Sequence, residues 1–386
     1  MSQIDGASPD RAGPRTRPTM RDVAALARVS LKTVSRVING ESTVDPELAA
    51  RVHRAATTLD YRPNLTARSL RSSDGRTRTI GVVLENVGNP FSSALHRAVE
   101  DIARSRGVAV FAGSVDEDPR RERDIALALI ARRVDGLIIV PAGDDQSYLA
   151  NEQRAGLSLV FADRPPRLLR ADTVISDNTA GAQAAVRHLI AAGHRRIGFL
   201  GDLKQIATAA ERVAGYVQAL SDSGIEFDED LVRLDLHGID AARAAARSLM
   251  ATARPSALFT TQNLITIGAI RALRDLDLHE RIALVGFDDF LLADMLQPAV
   301  TVIAQEPATI GAKACEVLFQ RMDGDTSPTQ THTIPTRLIA RGSGEIPPTR
   351  PTAPRSPRKA NPGRVKSSGS DHRRATARQA KDRDAR

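Results

Sequence analysis

The order of apolar and polar positions divides most of the chain into alternating strands and helices. Short, nearly continuous apolar runs occupy 79–84, 136–140, 157–161, 196–200, 257–259 and 282–286. Such runs are typical of parallel strands that are buried on both faces. Amphipathic stretches with helical spacing occupy 91–106, 119–133, 179–192, 208–223, 240–250, 264–276 and 308–322. The alternation predicts a doubly wound α/β architecture, and this body is long enough for two lobes with parallel sheets.

The segment before this body has a helical pattern instead. Three short helices are predicted, at 20–27, 31–38 and 46–59. Thr19 and Ser30 are suited to cap the first two helices, and Pro46 after Asp45 opens the third. Because only Arg28-Val29 separates the first two helices, their spacing is that of a helix-turn-helix.

The second predicted helix has one apolar and one polar face. Val34, Val37 and Ile38 share the face that we expect to be buried. The opposite face and its flank carry Leu31, Lys32, Ser35, Arg36 and Asn39. Arg and Lys suit guanine edges and Asn suits adenine, so this face fits a DNA major groove. Spacing alone leaves a second interpretation equally open, a solvated face on a small helical bundle.

A family resemblance decides between these interpretations. The run from Thr19 to Asn39 resembles the N-terminal signature of the lactose-repressor (LacI/GalR) family of bacterial transcription regulators, and 61–70 resembles its linker. Similar segments follow in family order and spacing, at 89–91, 133–139, 193–198, 212–216 and 285–289. The resemblance covers 18–343 and implies an all-α helix-turn-helix headpiece followed by a two-lobed periplasmic-binding-protein-like domain.

The chain departs from the family pattern at two points. Arg28 occupies a turn position where the family usually has Gly or Asn in a left-handed conformation, which for Arg costs about 1 kcal/mol. Gln262-Asn263 replaces a frequent Asn-Asp pair and so removes a carboxylate. The second departure leaves the identity of the bound molecule open.

The resemblance assigns DNA contacts to named side chains. Base-reading positions would be Leu31, Lys32 and Arg36, and phosphate-contacting positions Thr33, Ser35 and Asn39. The linker would add Tyr61, Asn64, Arg68 and Leu70. The linker helix is too short to be stable alone, so it is expected to form against a partner helix and DNA. Leu70 would then wedge a base step in the minor groove; the alternative is that it packs on the body.

Polar side chains in the body follow the ends of predicted strands, where ligands bind in open α/β sheets. Arg212, Asp288 and Asn263 offer donors and acceptors for vicinal hydroxyls, and Phe91 or Phe161 can cover an apolar ring face. The predicted cleft residues are Asn89, Phe91, Phe161, Asp163, Arg212, Asn263 and Asp288. The resemblance assigns the same positions, above all Arg212 and Asp288, to effector binding.

The net charge of +8 is an average over three unlike regions. Residues 1–78 carry +6, residues 79–346 carry −7 and residues 347–386 carry +9. We expect the acidic body to repel DNA, and the tail to add salt-sensitive, non-specific affinity. The predicted organisation is a disordered N-terminus (1–17), a DNA-binding domain (18–62), a hinge helix and linker (63–78), an effector-binding and dimerisation domain (79–343) and a disordered basic tail (344–386).

Other functional classes find little support in the sequence. One cysteine, Cys315, excludes a disulfide framework, and the eight histidines lack metal-ligand spacing. No P-loop, dinucleotide-binding glycine motif or nucleophile elbow occurs. No export signal is visible, and no apolar run reaches the ~18 residues of a membrane span. We therefore expect no catalysis, no cofactor, no metal and no membrane contact, and a cytoplasmic protein at the nucleoid when DNA-bound.

The sequence thus predicts a homodimeric, ligand-responsive repressor of a near-palindromic operator. By resemblance, its effector is a sugar or sugar derivative. The rival hypotheses are a sugar-transport binding protein, an enzyme on a similar two-lobed scaffold and an architectural DNA binder. The sequence leaves open the effector, the operator, the direction of the ligand's effect and whether dimers pair into tetramers.

Overall fold

The computed structural model describes residues 17–41, 43–62 and 76–348, and the structural statements below concern that part of the chain. The N-terminal head contains three helices, α1 (Met20–Ala27), α2 (Leu31–Ile38) and α3 (Pro46–Thr58). The three predicted helices are confirmed. Their apolar sides meet in one small core, which contains Val23, Ala27, Val34, Val37, Val52 and Ala55.

Local hydrogen bonds explain where the first two helices begin. Thr19 and Asp22 form a capping box, in which the Thr19 N–H donates to Asp22 Oδ2 at 2.7 Å. Ser30 Oγ accepts from the Thr33 N–H at 3.0 Å at the start of α2. These caps satisfy donors that have no partner within the helix.

The turn between α1 and α2 requires a left-handed residue, and Arg28 adopts that conformation with φ 52° and ψ 50°. The strain is offset by a contact from the third helix. Arg51 donates from Nη2 to the carbonyl oxygens of Ala27 at 2.5 Å and Arg28 at 3.1 Å. The departure from the family pattern at Arg28 therefore leaves the turn intact.

The body contains twelve strands and eight further α-helices among the described residues. In chain order the strands are β1 (Thr79–Leu84), β2 (Ala109–Ser114), β3 (Gly136–Ile139), β4 (Ser158–Ala162), β5 (Asp172–Ser176), β6 (Ile197–Leu200), β7 (Val232–Arg233), β8 (Ala257–Thr260), β9 (Ala283–Phe287), β10 (Thr301–Ala304), β11 (Thr331–Ile334) and β12 (Arg337–Ile339). The helices are α4 (Pro90–Ser105), α5 (Pro119–Ala131), α6 (Ala150–Arg154), α7 (Asn178–Ala191), α8 (Ala207–Asp222), α9 (Gly238–Thr252), α10 (Asn263–Asp275) and α11 (Pro307–Met322).

The strands form two six-stranded sheets, one in each lobe. The first has the order β11-β5-β4-β3-β1-β2, and the second has the order β12-β10-β9-β8-β6-β7. All pairs are parallel except β10 with β12. The predicted doubly wound parallel sheets are confirmed. The chain passes between the lobes three times, after β5, after β10 and between β11 and β12.

Each sheet is covered by apolar side chains on both faces. On β1, Ile80, Val82 and Leu84 belong to one cluster, whereas Val83 belongs to the cluster on the opposite face. In the second lobe, Leu258 and Phe259 of β8 divide between two clusters in the same way. This burial accounts for the near-continuous apolar runs of the sequence.

The predicted strands and long helices match the structure within a few residues, but six strands were not predicted. β2 lies at a sheet edge and is largely exposed, with Phe111 47% exposed. β5 is buried but has polar residues at both ends. Apolar continuity therefore identified central strands and missed edge and polar-ended ones.

The body does not end at 343 as predicted. Ser343–Glu345 forms a 3-10 turn on the second lobe. Ser343 Oγ accepts from the Thr301 N–H at 2.9 Å and donates to the Leu284 carbonyl at 2.6 Å. His194 Nε2 donates to the Ile346 carbonyl at 2.8 Å. These contacts extend the described body to residue 348, past the predicted start of the tail. Among the described helices, none has the length and apolarity to cross a membrane.

Candidate functional site

A polar cleft lies between the lobes at the carboxyl ends of the parallel strands. In each sheet the strand order reverses beside a central strand, β1 in the first lobe and β6 in the second. Ligand sites in open α/β sheets lie at such reversals. The space between its walls is about 440 Å³, part of it open to solvent. The cleft is lined by Glu85, Asn89, Phe91, Ser92, Glu117, Val140, Asp163, Arg164, Asp202, Thr208, Arg212, Gln262, Asp288 and Gln305.

Arg212 lies on α8 and is held rigidly at the cleft. Its Nε donates to the side-chain oxygen of Asn178 at 3.0 Å, and its Nη1 donates to the Thr261 carbonyl at 2.6 Å. The guanidinium carbon lies 4.0 Å from the centre of the Phe287 ring, within cation–π range. Its Nη2 has no hydrogen-bond partner among the described residues, so this nitrogen can donate to a bound molecule.

Asp288 follows β9 and adopts a left-handed φ of 71°. Its Oδ1 accepts from Gln305 Nε2 at 2.6 Å. Burial raises the pKa of Asp288, and the positive charge of Arg212 acts in the opposite direction. Asp288 and Arg212 together place an acceptor and a donor at one wall of the cleft.

Asp163 follows β4 and belongs to a buried ion group. The neighbouring Arg164 donates to both oxygens of Glu117, at 2.6 and 2.7 Å, and to the Pro141 carbonyl at 3.0 Å. Arg164 Nε lies 3.3 Å from Asp163 Oδ2, an ion-pair distance without hydrogen-bond alignment. Burial raises the pKa of Asp163, and Arg164 opposes that change. Two carboxylates therefore share one guanidinium here.

Asn89 and Asn263 connect the two lobes directly. Asn263 Nδ2 donates to Asn89 Oδ1 at 2.9 Å, and the same oxygen accepts from the Phe91 N–H at 3.1 Å. Asn89 Nδ2 donates to Glu85 Oε2 at 3.3 Å. Both asparagines stand at the first turns of helices, α4 and α10, that begin at the strand ends. The cleft is thus bridged by a hydrogen bond that opening of the lobes would break.

Five of the seven predicted cleft residues line the cleft, and a sixth, Asn263, is joined to it by its hydrogen bond to Asn89. Phe91 lines the cleft and also packs on the first lobe's core. Phe161 is 0% exposed and belongs to the core cluster with Leu137 and Ile139, so the expectation that it covers a ligand is corrected. Successive side chains on a strand point to opposite faces of the sheet. The sequence pattern shows this alternation but does not show whether Phe161 points toward the cleft or into the core.

Sequence reasoning missed several polar cleft residues, above all Glu85, Asp202 and Gln305. Glu85 directly follows β1 and Asp202 lies two residues after β6. Burial raises the pKa of Glu85 to about 7, with Glu117 adding to the shift, and burial also raises the pKa of Asp202. The strand-end rule could have identified both carboxylates. Gln305 follows β10, a strand that was not predicted.

The predicted DNA-reading face of α2 is on the surface of the head. Leu31 is 45% exposed, and Lys32 and Asn39 are also exposed. Arg36 is half-buried because its Nε donates to Glu41 Oε2 at 2.8 Å and its Nη2 donates to Thr43. Of the three predicted base-reading side chains of α2, Leu31 and Lys32 are therefore exposed, whereas Arg36 is bound to other residues of the head.

The remaining predicted DNA contacts are locally paired or undescribed. Thr33 Oγ1 lies 2.9 Å from Ser30 Oγ, and Asn39 Nδ2 donates to Ser35 Oγ at 3.4 Å. Tyr61 is partly buried against the head core. Asn64, Arg68 and Leu70 lie outside the described residues, so their proposed contacts stay predictions.

Metal binding has no support in the geometry. Among residues 17–41, 43–62 and 76–348, no group of three or more His, Cys, Asp or Glu side chains is placed to hold a metal ion. Cys315 is buried in α11 and lies near the Val99 carbonyl, with a sulfur–oxygen distance of 3.7 Å. Its environment is the apolar core of the first lobe.

Comparisons with known proteins agree with this two-part construction. A family model described as bacterial regulatory proteins, lacI family, matches residues 19–64, and a periplasmic binding protein-like domain matches residues 186–344. The chain is 31% identical to the ribose operon repressor of Haemophilus influenzae over 329 residues, which cover 84% of this chain and 98% of the relative. It is 32% identical to the transcriptional regulator GalR of Escherichia coli over 336 residues, which cover 85% and 96%.

Solved structures show the same likeness. The lac repressor dimer bound to operator and the anti-inducer ONPF matches with a TM-score of 0.76 and 26% identity, covering 85% of this chain and 99% of that chain. The complex of the regulator CelR with cellobiose matches with a TM-score of 0.64 and 30% identity, covering 85% and 100%. The chain belongs to the LacI/GalR family and is a ligand-responsive, DNA-binding regulator of transcription.

Proposed function

We propose that this regulator is a homodimeric repressor, acting in the cytoplasm, whose hold on a near-palindromic operator is controlled by a hydroxylated small molecule in the interlobe cleft. The effector is a sugar or a sugar derivative. The observation that carries the proposal is that Arg212 and Asp288 are each fixed by other residues and so offer a donor and an acceptor at one wall of the cleft. Vicinal hydroxyl groups, which both donate and accept, match such a pair.

The cleft also supplies a means of control. The hydrogen bond between Asn263 and Asn89 joins the lobes, so a ligand that contacts both lobes changes their relative position or stability. A ligand shifts such an equilibrium by its difference in affinity for the two arrangements. Relatives named for ribose and a structural neighbour holding cellobiose support the sugar class.

Two features support the DNA-binding side of the proposal. The exposed Leu31 and Lys32 lie at the start of α2, where recognition helices contact base edges. The similar lac repressor structure is a dimer on its operator. A two-fold dimer places two heads on half-sites related by a dyad, which predicts operator near-palindromy.

The test is in two stages. Selection from random-sequence DNA should first yield an operator with dyad-related half-sites, and sedimentation of the complex should show a dimer, with a tetramer as the alternative assembly. Thermal-shift screening against sugars and their derivatives should then yield a stabilising ligand, since ligands of the native state raise its stability. That ligand should change the operator's dissociation constant. A flat base preference, or a ligand without any effect on operator binding, would contradict the proposal.

A further inference from the structure

The cleft carries an excess of negative charge that its own residues do not neutralise. Five carboxylates and two guanidinium groups line it. Arg164 is engaged by Glu117 and Asp163, and the positive charge of Arg212 acts on Asp288. The two carboxylates that remain belong to Glu85 and Asp202, and neither forms an ion pair within the part of the chain that the structure describes.

Glu85 and Asp202 receive only neutral hydrogen-bond donors. Glu85 accepts from the Asn89 side-chain amide at 3.3 Å, and Asp202 accepts from the Leu203 N–H at 2.8 Å. The nearby Lys204 pairs with Asp235 instead, at 3.0 Å. Both cleft carboxylates are partly buried. The negative charge of Asp202 acts on Glu85, while Arg164 acts on both carboxylates without pairing with either. An uncompensated charge in such a place is costly unless something neutralises it.

The two carboxylates occupy equivalent places in the two lobes. Glu85 follows β1 and Asp202 follows β6, and each of these strands adjoins the point where the order of its sheet reverses. Glu117, which is bound to Arg164, lies close enough to act electrostatically on both. The acidic part of the cleft is therefore made by both lobes, and a cation held there would contact both.

An independent observation also points to a bound donor. Gln305 is 8% exposed and lines the cleft, and its Nε2 donates to Asp288. That contact fixes the amide orientation and leaves Gln305 Oε1 buried without a hydrogen-bond donor. Asn263 Oδ1 is also buried without a donor, because its Nδ2 is committed to Asn89. Buried polar atoms without a hydrogen-bond partner are rare. The unpaired oxygen of Gln305 therefore indicates that a bound molecule donates a hydrogen bond to it.

We infer that the effector of this regulator carries a positive charge, as an amine on a hydroxylated skeleton such as an amino sugar, and that its ammonium group sits between Glu85 and Asp202. This inference rests on the proposed function, because it specifies the molecule that binds in the same cleft. An ammonium brings three donors and one compensating charge. The amide oxygen of Gln305 then accepts from the ligand, and the Phe91 ring covers part of its carbon skeleton.

Two alternative occupants fit less well. A neutral sugar supplies donors but no positive charge, so Glu85 and Asp202 would lose their charge only by taking up protons. A divalent metal ion needs several grouped oxygen ligands, and within the described residues no three acidic or histidine side chains are so arranged. A positively charged ligand with several hydrogen-bond donors accounts both for the unpaired carboxylates and for the unpaired oxygen of Gln305.

The experiment compares charged and neutral forms of the same skeleton. Glucosamine, galactosamine and mannosamine are titrated into the full-length protein by calorimetry, each beside its neutral parent hexose and its uncharged N-acetyl derivative. At least one amine should bind about tenfold or more tightly than both of its neutral forms, since hydrogen bonds to charged groups exceed neutral ones by a kcal/mol or more. A panel in which no amine binds, or in which neutral forms bind equally well, overturns the inference.

Variants locate the charge recognition. Glu85→Gln and Asp202→Asn keep the size of each side chain and remove its charge, so each should reduce the amine's affinity about tenfold and remove its advantage over the neutral parent. Asp222→Asn is the matched control, because Asp222 is an exposed carboxylate on α8 that pairs with Arg187 away from the cleft. Equal losses in all three variants would show a general charge effect and overturn the assignment.

The outcome is separable from that of the proposed function. If an amine binds selectively at Glu85 and Asp202 but leaves operator affinity unchanged, the inference stands and the proposed control of DNA binding fails. If a neutral sugar controls operator binding and amines do not bind, the proposed function stands and the inference fails.

Discussion

The cleft and the face of the head that we propose to read DNA differ in how their polar side chains are held. In the cleft, Arg212 and Asp288 are almost fully buried, and each is held by contacts made before any ligand binds. On the head, Leu31 and Lys32 project into solvent, whereas Arg36 is turned toward its own domain. Pre-positioned groups lose little entropy on binding, whereas exposed side chains must be ordered by the partner. The side chains proposed to bind the ligand are thus already fixed in place, whereas those proposed to bind DNA become ordered only when DNA binds.

The largest expected effect comes from removing the buried donor of the cleft. Arg212→Ala should reduce effector affinity about 100-fold or more, because it removes a charged donor and the positive charge that acts on buried Asp288. Operator affinity without ligand should stay within about threefold. Calorimetry and gel shift measure the two quantities. The control is Arg187→Ala on α7, an exposed guanidinium in a surface ion pair. An unchanged response in the Arg212 variant would exclude its assignment to the site.

A second prediction concerns pH and the stability of the unliganded protein. The pKa of Glu85 is raised to about 7 in the folded state from 4.5, mainly by burial, with Glu117 and Asp202 adding to the shift and Arg164 and Asn89 opposing it. The folded state therefore loses stability as pH rises from 4.5 through 7. Glu85→Gln should raise the free energy of unfolding at pH 8 by up to about 3 kcal/mol, and by much less at pH 5.

Urea unfolding at the two pH values measures this difference. Asp222→Asn serves as the control of opposite sign, because hydrogen bonds from Gln218 and Arg187 lower the pKa of Asp222 and its charge is favourable in the fold. A stability gain for Glu85→Gln that is equal at pH 5 and pH 8 would mean that charge is not its cause.

On the head, removal of one exposed side chain should change sequence preference. Lys32→Ala should weaken operator binding by about 1–2 kcal/mol and relax the preference at one position of each half-site, as loss of a base contact does. Effector affinity should not change. Competition binding with single-base operator variants measures the effect, and Lys204→Ala in the body is the control. Uniform weakening at every base would instead identify a phosphate contact.

The smallest effect should come from releasing Arg36. Glu41→Gln removes the ion pair that turns Arg36 toward its own domain, and such half-exposed pairs contribute less than about 1 kcal/mol. Operator affinity should rise two- to fivefold, about the factor that this energy allows. Asp60→Asn, which removes an exposed carboxylate paired with Arg62, controls for the added positive charge. Equal gains in both variants would show that charge alone is responsible.

Much of the fold could be predicted from the sequence because buried positions recur with the period of the helix or strand that contains them. The three head helices, six of the eight interior strands and the long helices of both lobes follow from apolar periodicity and capping residues. Edge strand β2 is exposed, so it lacks the apolar run of an interior strand. Interior strand β10 (Thr301–Ala304) is as short and as buried as β3, β6 and β8, and nothing in the structure explains why it alone of these was not predicted.

The candidate site was predicted where a rule connects position to function. Asn89, Asp163 and Asp288 were found because they follow strand ends. Arg212 lies in the helix after β6 and was found mainly because the family resemblance assigns its position to effector binding; all four residues line the cleft. Phe161 was misplaced because alternation along a strand does not say which face meets a ligand. The charge excess of Glu85 and Asp202 could not be recognised from sequence, because it depends on which guanidinium groups are already neutralised in three dimensions.

The first strand, β1, connects the linker side of the body to the cleft. β1 carries Glu85 directly after its last residue, and its six residues span about 20 Å. At its start, the carboxylate of Asp135 accepts from the N–H groups of Thr77 and Arg78 at 2.8 and 2.7 Å. Because β1 is paired on both sides and clamped at its beginning, it moves as one stiff unit. The positions of Thr77 and Arg78, at the end of the predicted linker, are therefore fixed by the same strand that places Glu85 at the cleft.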